Sequence, residues 1–135
     1  MSTSRILVSS GTEFEAIVGY SRAVRVGPFV VVSGTTAPEA SDDIGAQTRE
    51  VLRRIEIALV EAGVTLDDVV RTRIYVTDIS RWRDVAAVHA EVFGQIRPAA
   101  TMVEVAALIK PGLMVELEAD AYSPNAGNLP SASGR

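Results

Sequence analysis

Ala23-Val24-Arg25-Val26-Gly27-Pro28-Phe29-Val30-Val31-Val32-Ser33 is the stretch whose reading decides the fold. Two β-rich runs, Ala23 to Val26 and Phe29 to Ser33, flank the pair Gly27-Pro28. A two-residue loop with glycine first suits a type II′ turn, because glycine tolerates the positive φ at that position while proline's fixed φ fits the second. The stretch predicts an antiparallel hairpin, which is too small to be stable alone and needs further strands or helices packed against it.

Toward the N-terminus, Arg5 to Ser9 predicts a short first strand, and Gly11 opens a polar connection leading to Gly19-Tyr20. In the other direction the chain turns polar after Gly34-Thr35-Thr36-Ala37-Pro38. Ser41, Asp42 and Asp43 then offer N-caps for a helix that Gly63 would end. Val51, Leu52, Ile55, Ala58, Leu59 and Ala62 recur at helical spacing, while Arg49, Glu50, Arg53, Arg54 and Glu61 fall mostly elsewhere. A helix with one apolar stripe should lie on a sheet. Val69 to Thr77 alternates, Val70, Thr72, Ile74 and Val76 opposing Arg71, Arg73 and Tyr75, which predicts a strand with one apolar side.

Asp78 or Ser80 caps a second helix reaching about Phe93, with Trp82, Val85, His89, Val92 and Phe93 on a common face and Gly94 closing it. Trp82 is expected in the core. Thr101 to Ala107 and Met114 to Ala121 supply the last strands, joined by a loop around Lys110-Pro111-Gly112. Within the final run Val115, Leu117, Ala119 and Ala121 oppose Met114, Glu116, Glu118 and Asp120. The order strand, hairpin, helix, strand, helix, strand, strand predicts an α+β domain, a single mixed β-sheet with two helices on one face. Phe29 and Val31 remain on the other face, and self-association is the expected way to bury them.

At 135 residues the chain has room for one domain, placed at residues 1–122; the Ser-, Pro-, Asn- and Gly-rich stretch 123–135 is expected to be a disordered tail. Lys and Arg number 13 against 17 Asp and Glu, a net charge of -4, so the averaged field repels phosphate backbones and counts against nucleic acid as a partner. With no Cys and one His, neither a disulfide framework nor a soft metal site is expected, and no dinucleotide fingerprint or phosphate loop implies a cofactor. The polar start Met1-Ser-Thr-Ser-Arg5 and the lack of any apolar run near 20 residues lead to the expectation of a cytoplasmic protein without a membrane partner.

Gly19-Tyr20-Ser21-Arg22-Ala23-Val24-Arg25-Val26-Gly27, then Val32-Ser33-Gly34, Val103-Glu104-Val105 and Val115-Glu116-Leu117-Glu118-Ala119 resemble the reactive intermediate deaminase (RidA/YjgF/YER057c/UK114) superfamily, in order from about Gly19 to Tyr122. The resemblance implies a chorismate-mutase-like fold and a homotrimer, its sheets forming an inner barrel and a small-molecule cleft lying between each pair of neighbouring subunits. Active members hydrolyse enamines and imines to release ammonia, without metal or cofactor. Carried over residue by residue, the cleft would hold Tyr20, Ser33, Gly34 and Glu116, with Thr101 able to donate into it. The family's Pro-Ala-Arg-Ser/Thr motif, whose Arg grips the substrate carboxylate, reads Pro98-Ala99-Ala100-Thr101 here, so Ala100 stands in the Arg position. An Asn of the family's second helix aligns with Ala86. The chain thus resembles the branches lacking that Arg, where 2-imino acid deaminase activity does not follow. Loss of a charge-assisted bidentate partner in a closed site costs roughly 2 to 5 kcal/mol, unless Arg22, Arg73 or Arg97 substitutes.

Each candidate also has a plain structural account. Glu116, Glu118 and Asp120 share a strand face, where carboxylates at period two need compensation; Arg71 and Arg73 on a neighbouring strand would pair with Glu118 and Asp120. Glu116 is the one the resemblance places in the cleft, to orient water or move a proton. His89 is either a half-buried core or subunit-contact residue or an acid/base group. Tyr20 and Ser33 would otherwise be a loop aromatic and a strand-end hydroxyl. The favoured function is a small-molecule hydrolase acting at a C–N or C=N centre, with a non-catalytic trimer that binds a metabolite or partner as the alternative. The ribonuclease activity attributed to some relatives is a third reading, which the acidic balance opposes.

Overall fold

The computed structural model describes residues 5–38 and 42–124. Its elements run β1 (Arg5–Val8), α1 (Glu13–Val18), β2 (Ala23–Val26), β3 (Phe29–Thr35), α2 (Ile44–Glu61), β4 (Val69–Val76), α3 (Trp82–Phe93), β5 (Ala99–Glu104) and β6 (Val115–Tyr122). The six strands form one sheet in the order β1-β2-β3-β6-β4-β5. Every neighbouring pair is antiparallel except β4 and β5, which are parallel and connected through α3. The architecture is α+β with a mixed sheet, as the residue patterns predict.

The hairpin is present with Val26 opposite Phe29 and Gly27 at φ 58°, the positive value that the turn demands of its first loop residue. Strand alternation sends Val30, Val32, Ile74, Val76, Val115, Leu117, Ala119 and Ala121 to one face, where all are buried. Helix α2 covers that face with Ile44, Val51, Leu52, Ile55, Ala58 and Leu59, and α3 adds Val85, Val88 and Phe93. Asp43 caps α2 by accepting from the Gly45 N–H at 2.9 Å, and Gly63 takes φ 90° just beyond the last turn. Buried Gln47 clamps the loop before β6, donating to the Gly112 carbonyl and accepting from the Met114 N–H, each at 2.9 Å.

Three expectations are corrected. The connection after Gly11 contains the short helix α1, held by the carboxylate of Glu15, which accepts from Ser9 Oγ (2.8 Å), Ser10 N (3.0 Å) and Ser10 Oγ (2.6 Å). Val70 is exposed: the β4–β6 register shifts between Val69 and Arg71, and this irregularity buries Val69 in its place. Trp82 is 43% exposed at the first turn of α3, with the Arg83 guanidinium 4.6 Å from its ring centre, so it is a surface residue and not core. The last two strands also begin and end slightly differently, β5 starting at Ala99 and stopping at Glu104. The tail expectation for 125–135 and the candidate cap Ser41 lie outside the described residues. Ser123, at the edge of that tail, donates its N–H to the Pro28 carbonyl at 2.9 Å.

The opposite sheet face is open. Phe29 and Tyr122 meet there edge to face, 5.1 Å between ring centres, next to exposed Val31 and Leu7. Toward the centre lies the expected charged ladder: Arg73 contacts Asp120 at 3.0 Å and Glu118 at 3.5 Å, and the Tyr75 hydroxyl donates to Glu118 at 3.0 Å. No described helix is long and apolar enough to cross a membrane.

Candidate functional site

The site begins where β3 loses its regular pairing. Between Val32 and Thr35 the β3–β6 register shifts, so Ser33 and Gly34 interrupt the ladder. Such an irregularity re-aims backbone groups, and here it opens the end of β3 toward Glu116 on β6. Gly34 has no side chain, and a Cβ built there would fall 3.0 Å from Glu116 Cδ and closer still to Oε2. The carboxylate therefore packs directly on the glycine backbone, a position any larger residue would deny it.

Glu116 is partly buried, and its carboxyl is pushed above the usual carboxylate range, first by desolvation and then by the nearby charge of Glu118; Arg22 pulls the other way. The Arg22 guanidinium fixes the irregular segment: Nη1 donates to the Gly34 carbonyl at 2.9 Å and to Thr35 Oγ1 at 2.8 Å, while Nη2 donates to the Tyr20 hydroxyl at 3.3 Å. Thr35 Oγ1 in turn donates to the Ser33 carbonyl, and Ser33 Oγ donates to the Ser21 carbonyl at 2.6 Å. The Ser33 proton is thus committed to backbone, which leaves its oxygen lone pairs for the cleft.

These groups border a cavity of about 810 Å³. Tyr20, Arg22, Ser33, Gly34, Thr35 and Glu116 form its polar end. Phe14 and Val18 of α1, Ile57 and Ala58 of α2, and Ile109 and Leu113 of the loop before β6 supply apolar walls. The size and the mix of apolar wall with a few converging polar groups are those of a small-molecule site. Among its cations, Arg53 and Arg54 are taken up by Glu50, and Lys110 lies over the Phe14 ring at 5.2 Å.

Of the residues named from the sequence, Tyr20, Ser33, Gly34 and Glu116 meet in this cavity. Ala100 and Thr101 do not; both are exposed on β5, the far edge strand. His89 faces the sheet from α3, its Nε2 2.9 Å from buried Thr72 Oγ1 and its ring 4.7 Å from Phe93, and burial pushes its pKa down. It stands in the helix–sheet layer and does not line the cavity. Of the three candidate arginines, Arg73 is engaged in the open-face ladder and Arg97 is exposed, donating to the Gly94 carbonyl; Arg22 alone of them reaches the cavity. A sequence signal for it exists, since Tyr20 and Arg22 are two apart and an extended segment places such residues on one side. The apolar wall from α1 has no periodic sequence signal, because six residues are too few to show a helical stripe. Among the described residues no group of three or more His, Cys, Asp or Glu side chains could hold a metal ion.

The family described as Endoribonuclease L-PSP matches residues 10–123. A RutC family protein of Pyrococcus abyssi is 38% identical over 109 residues, covering 76% of this chain and 85% of that one. Among solved structures, Rv2704 of Mycobacterium tuberculosis, described as a member of the highly conserved YjgF/YER057c/UK114 family, shares 72% identity with a TM-score of 0.86, covering 89% of this chain and 100% of that one. A Rid family protein of unknown function from Yersinia pestis shares 35% identity with a TM-score of 0.78, over 89% of this chain and 100% of that one.

Proposed function

This chain belongs to the YjgF/YER057c/UK114 (Rid) family, and from that premise we propose that it is a small-molecule hydrolase of the enamine/imine deaminase type, working in clefts between the subunits of a homotrimer. The observation that carries the reading is the carboxylate of Glu116, partly buried with a raised pKa and seated on Gly34 at the mouth of a cavity it shares with Tyr20. A carboxylate shifted toward neutrality is a better proton carrier near pH 7 than an ordinary one. Glu116 takes a proton from water as the water oxygen adds to the C=N carbon. That proton passes to nitrogen and gives a carbinolamine; the carbinol hydroxyl proton then moves through the same carboxylate to nitrogen, the C–N bond breaks, ammonia leaves, and a carbonyl remains.

Closure by assembly supports the reading as well. The open sheet face is apolar at one end, and β5 carries Ala100 and Thr101 exposed at the sheet edge. In a trimer, Thr101 and the backbone of one subunit would reach the Glu116 cavity of the next and hold developing charge there. Ala100 keeps the alternative of a non-catalytic binding trimer in play, because it supplies no guanidinium to that cleft.

Turnover of imines generated in place from amino acids, followed by ammonia release, tests the function. Glu116→Gln keeps shape and removes the charge, and should lower turnover about 10²-fold or more. Glu118→Gln, which removes a charge that only adds to the burial raising Glu116, should stay within about threefold of the unaltered protein. Equal turnover in both variants would make Glu116 structural and favour the binding reading.

A further inference from the structure

Arg22 stands just before β2, where the connection from α1 meets the irregular end of β3. Its main chain is fixed without help from the side chain: the N–H donates to the Val8 carbonyl at 2.7 Å, and the carbonyl accepts from the Ser33 N–H at 3.0 Å. The side chain therefore answers to something other than the strand. Nη1 spans the break in the ladder, bonded to Gly34 and Thr35, while Nη2 reaches Tyr20, whose ring centre is 5.5 Å from the guanidinium. The ion pairs among the described residues all involve other arginines, and Nε of Arg22 is buried without an acceptor. A buried donor left unsatisfied costs free energy, so pairing alone does not account for the placement.

The charge acts through space on two carboxylates, Glu15 and Glu116, and favours the ionised form of both. Glu15 is held ionised mainly by the hydroxyls of Ser10 and Ser9, so Arg22 is a minor influence there. Glu116 has no such donor among the described residues: burial and Glu118 favour its neutral form, and Arg22 alone opposes them. The other charges around it are occupied or remote. Tyr75, opposite Glu116 on β4, gives its hydroxyl to Glu118; Arg53 and Arg54 pair with Glu50, and Lys110 lies over Phe14. Glu13 and Glu61 border the cavity from exposed positions. We propose that Arg22 is the positioning residue of this site: its fork holds the Gly34 backbone and the Tyr20 hydroxyl around the Glu116 carboxylate, and its charge supplies the positive field that faces that carboxylate. The inference deepens the hydrolase reading, on which its effect on rate rests. A base that takes a proton from water must be ionised when the water arrives. Without Arg22, both influences favouring the neutral acid act unopposed, and Glu116 spends more of the neutral range protonated.

Two variants separate the fork from the charge. Carbon-13 NMR of the glutamate carboxyls, with the Glu116 signal identified by its loss in Glu116→Gln, follows the titration of that group without any turnover. Arg22→Gln should move the Glu116 midpoint to higher pH; Arg22→Lys, which keeps the charge and loses the fork, should leave it nearly in place. In ammonia release from imines, both variants should lower kcat on the alkaline plateau about tenfold, the scale of a misplaced reacting group, with KM within about twofold. Only Arg22→Gln should also move the acidic limb of the pH–rate profile, in step with the NMR midpoint. Arg22→Met carries the charge test if the Gln variant does not fold. A midpoint that stays put when the charge is removed, or moves equally in the Lys variant, overturns the assignment, as does an unaltered plateau in Arg22→Lys. Absence of imine turnover by the unaltered protein would remove the hydrolase reading, and the titration would still decide Arg22.

Discussion

At the level of single residues, Gly34 is required for space and not for backbone freedom. Replacing it with Ala would set a methyl group against the Glu116 carboxylate, 3.0 Å from Cδ. The side chain must swing away, and Gly34→Ala should therefore cut turnover at least tenfold while costing about 1 to 3 kcal/mol of stability, the usual range for overpacking; paired kinetics and thermal melts check both. Glu15 gives a pH signature. Hydrogen bonds led by that from the Ser10 hydroxyl hold its carboxyl down at about 2, against an ordinary 4.5. A depressed acid stabilises the fold above its unfolded pKa and loses that contribution as pH falls through the folded one. Glu15→Gln should thus destabilise the protein at pH 7 by about 1 to 3 kcal/mol, with the difference from the unaltered chain shrinking between pH 4.5 and 2 in denaturant titrations. Tyr20, Ser33, Gly34 and Glu116 were legible as a set through family resemblance. For Arg22 the spacing from Tyr20 is a signal, but its contacts with Gly34 and Thr35 depend on how the β3–β6 ladder breaks, which no residue pattern announces.

Whole elements are legible wherever periodicity has room to repeat. The 18 residues of α2 show their stripe over five turns, and the Gly27-Pro28 turn fixes its own hairpin. Helix α1 has six residues, less than two turns, and is held by bonds from Ser9 and Ser10 to Glu15 rather than by a stripe. Val70 departs from its predicted face for a related reason: alternation assumes an unbroken ladder, and β4 shifts register at that residue. Trp82 lies at the helix-facing turn of a strip of apolar letters, yet it is the N-terminal residue of α3 and looks outward. At this scale the Asp43 cap is the clearest handle. Asp43→Ala removes the acceptor for the Gly45 N–H and should lower stability by about 1 kcal/mol, measured as a shifted urea midpoint with an unchanged slope.

For the molecule as a whole, the central structural fact is that Glu116 borders the cavity while Thr101, two strands away, does not. Glu116 is on β6 and Thr101 on the edge strand β5, with β4 between them, and the cavity that Glu116 borders is not lined by Thr101 within one copy. Sedimentation should give about three times the chain mass of 14.4 kDa. The most direct measurement is complementation between two inactive variants, Glu116→Gln and Thr101→Trp, co-refolded in equal amounts. If each cleft takes Glu116 from one subunit and Thr101 from the next, random mixing leaves about a quarter of the clefts intact, and ammonia release should recover to about a quarter of the unaltered rate. A mixture no more active than its two parents would contradict a shared cleft.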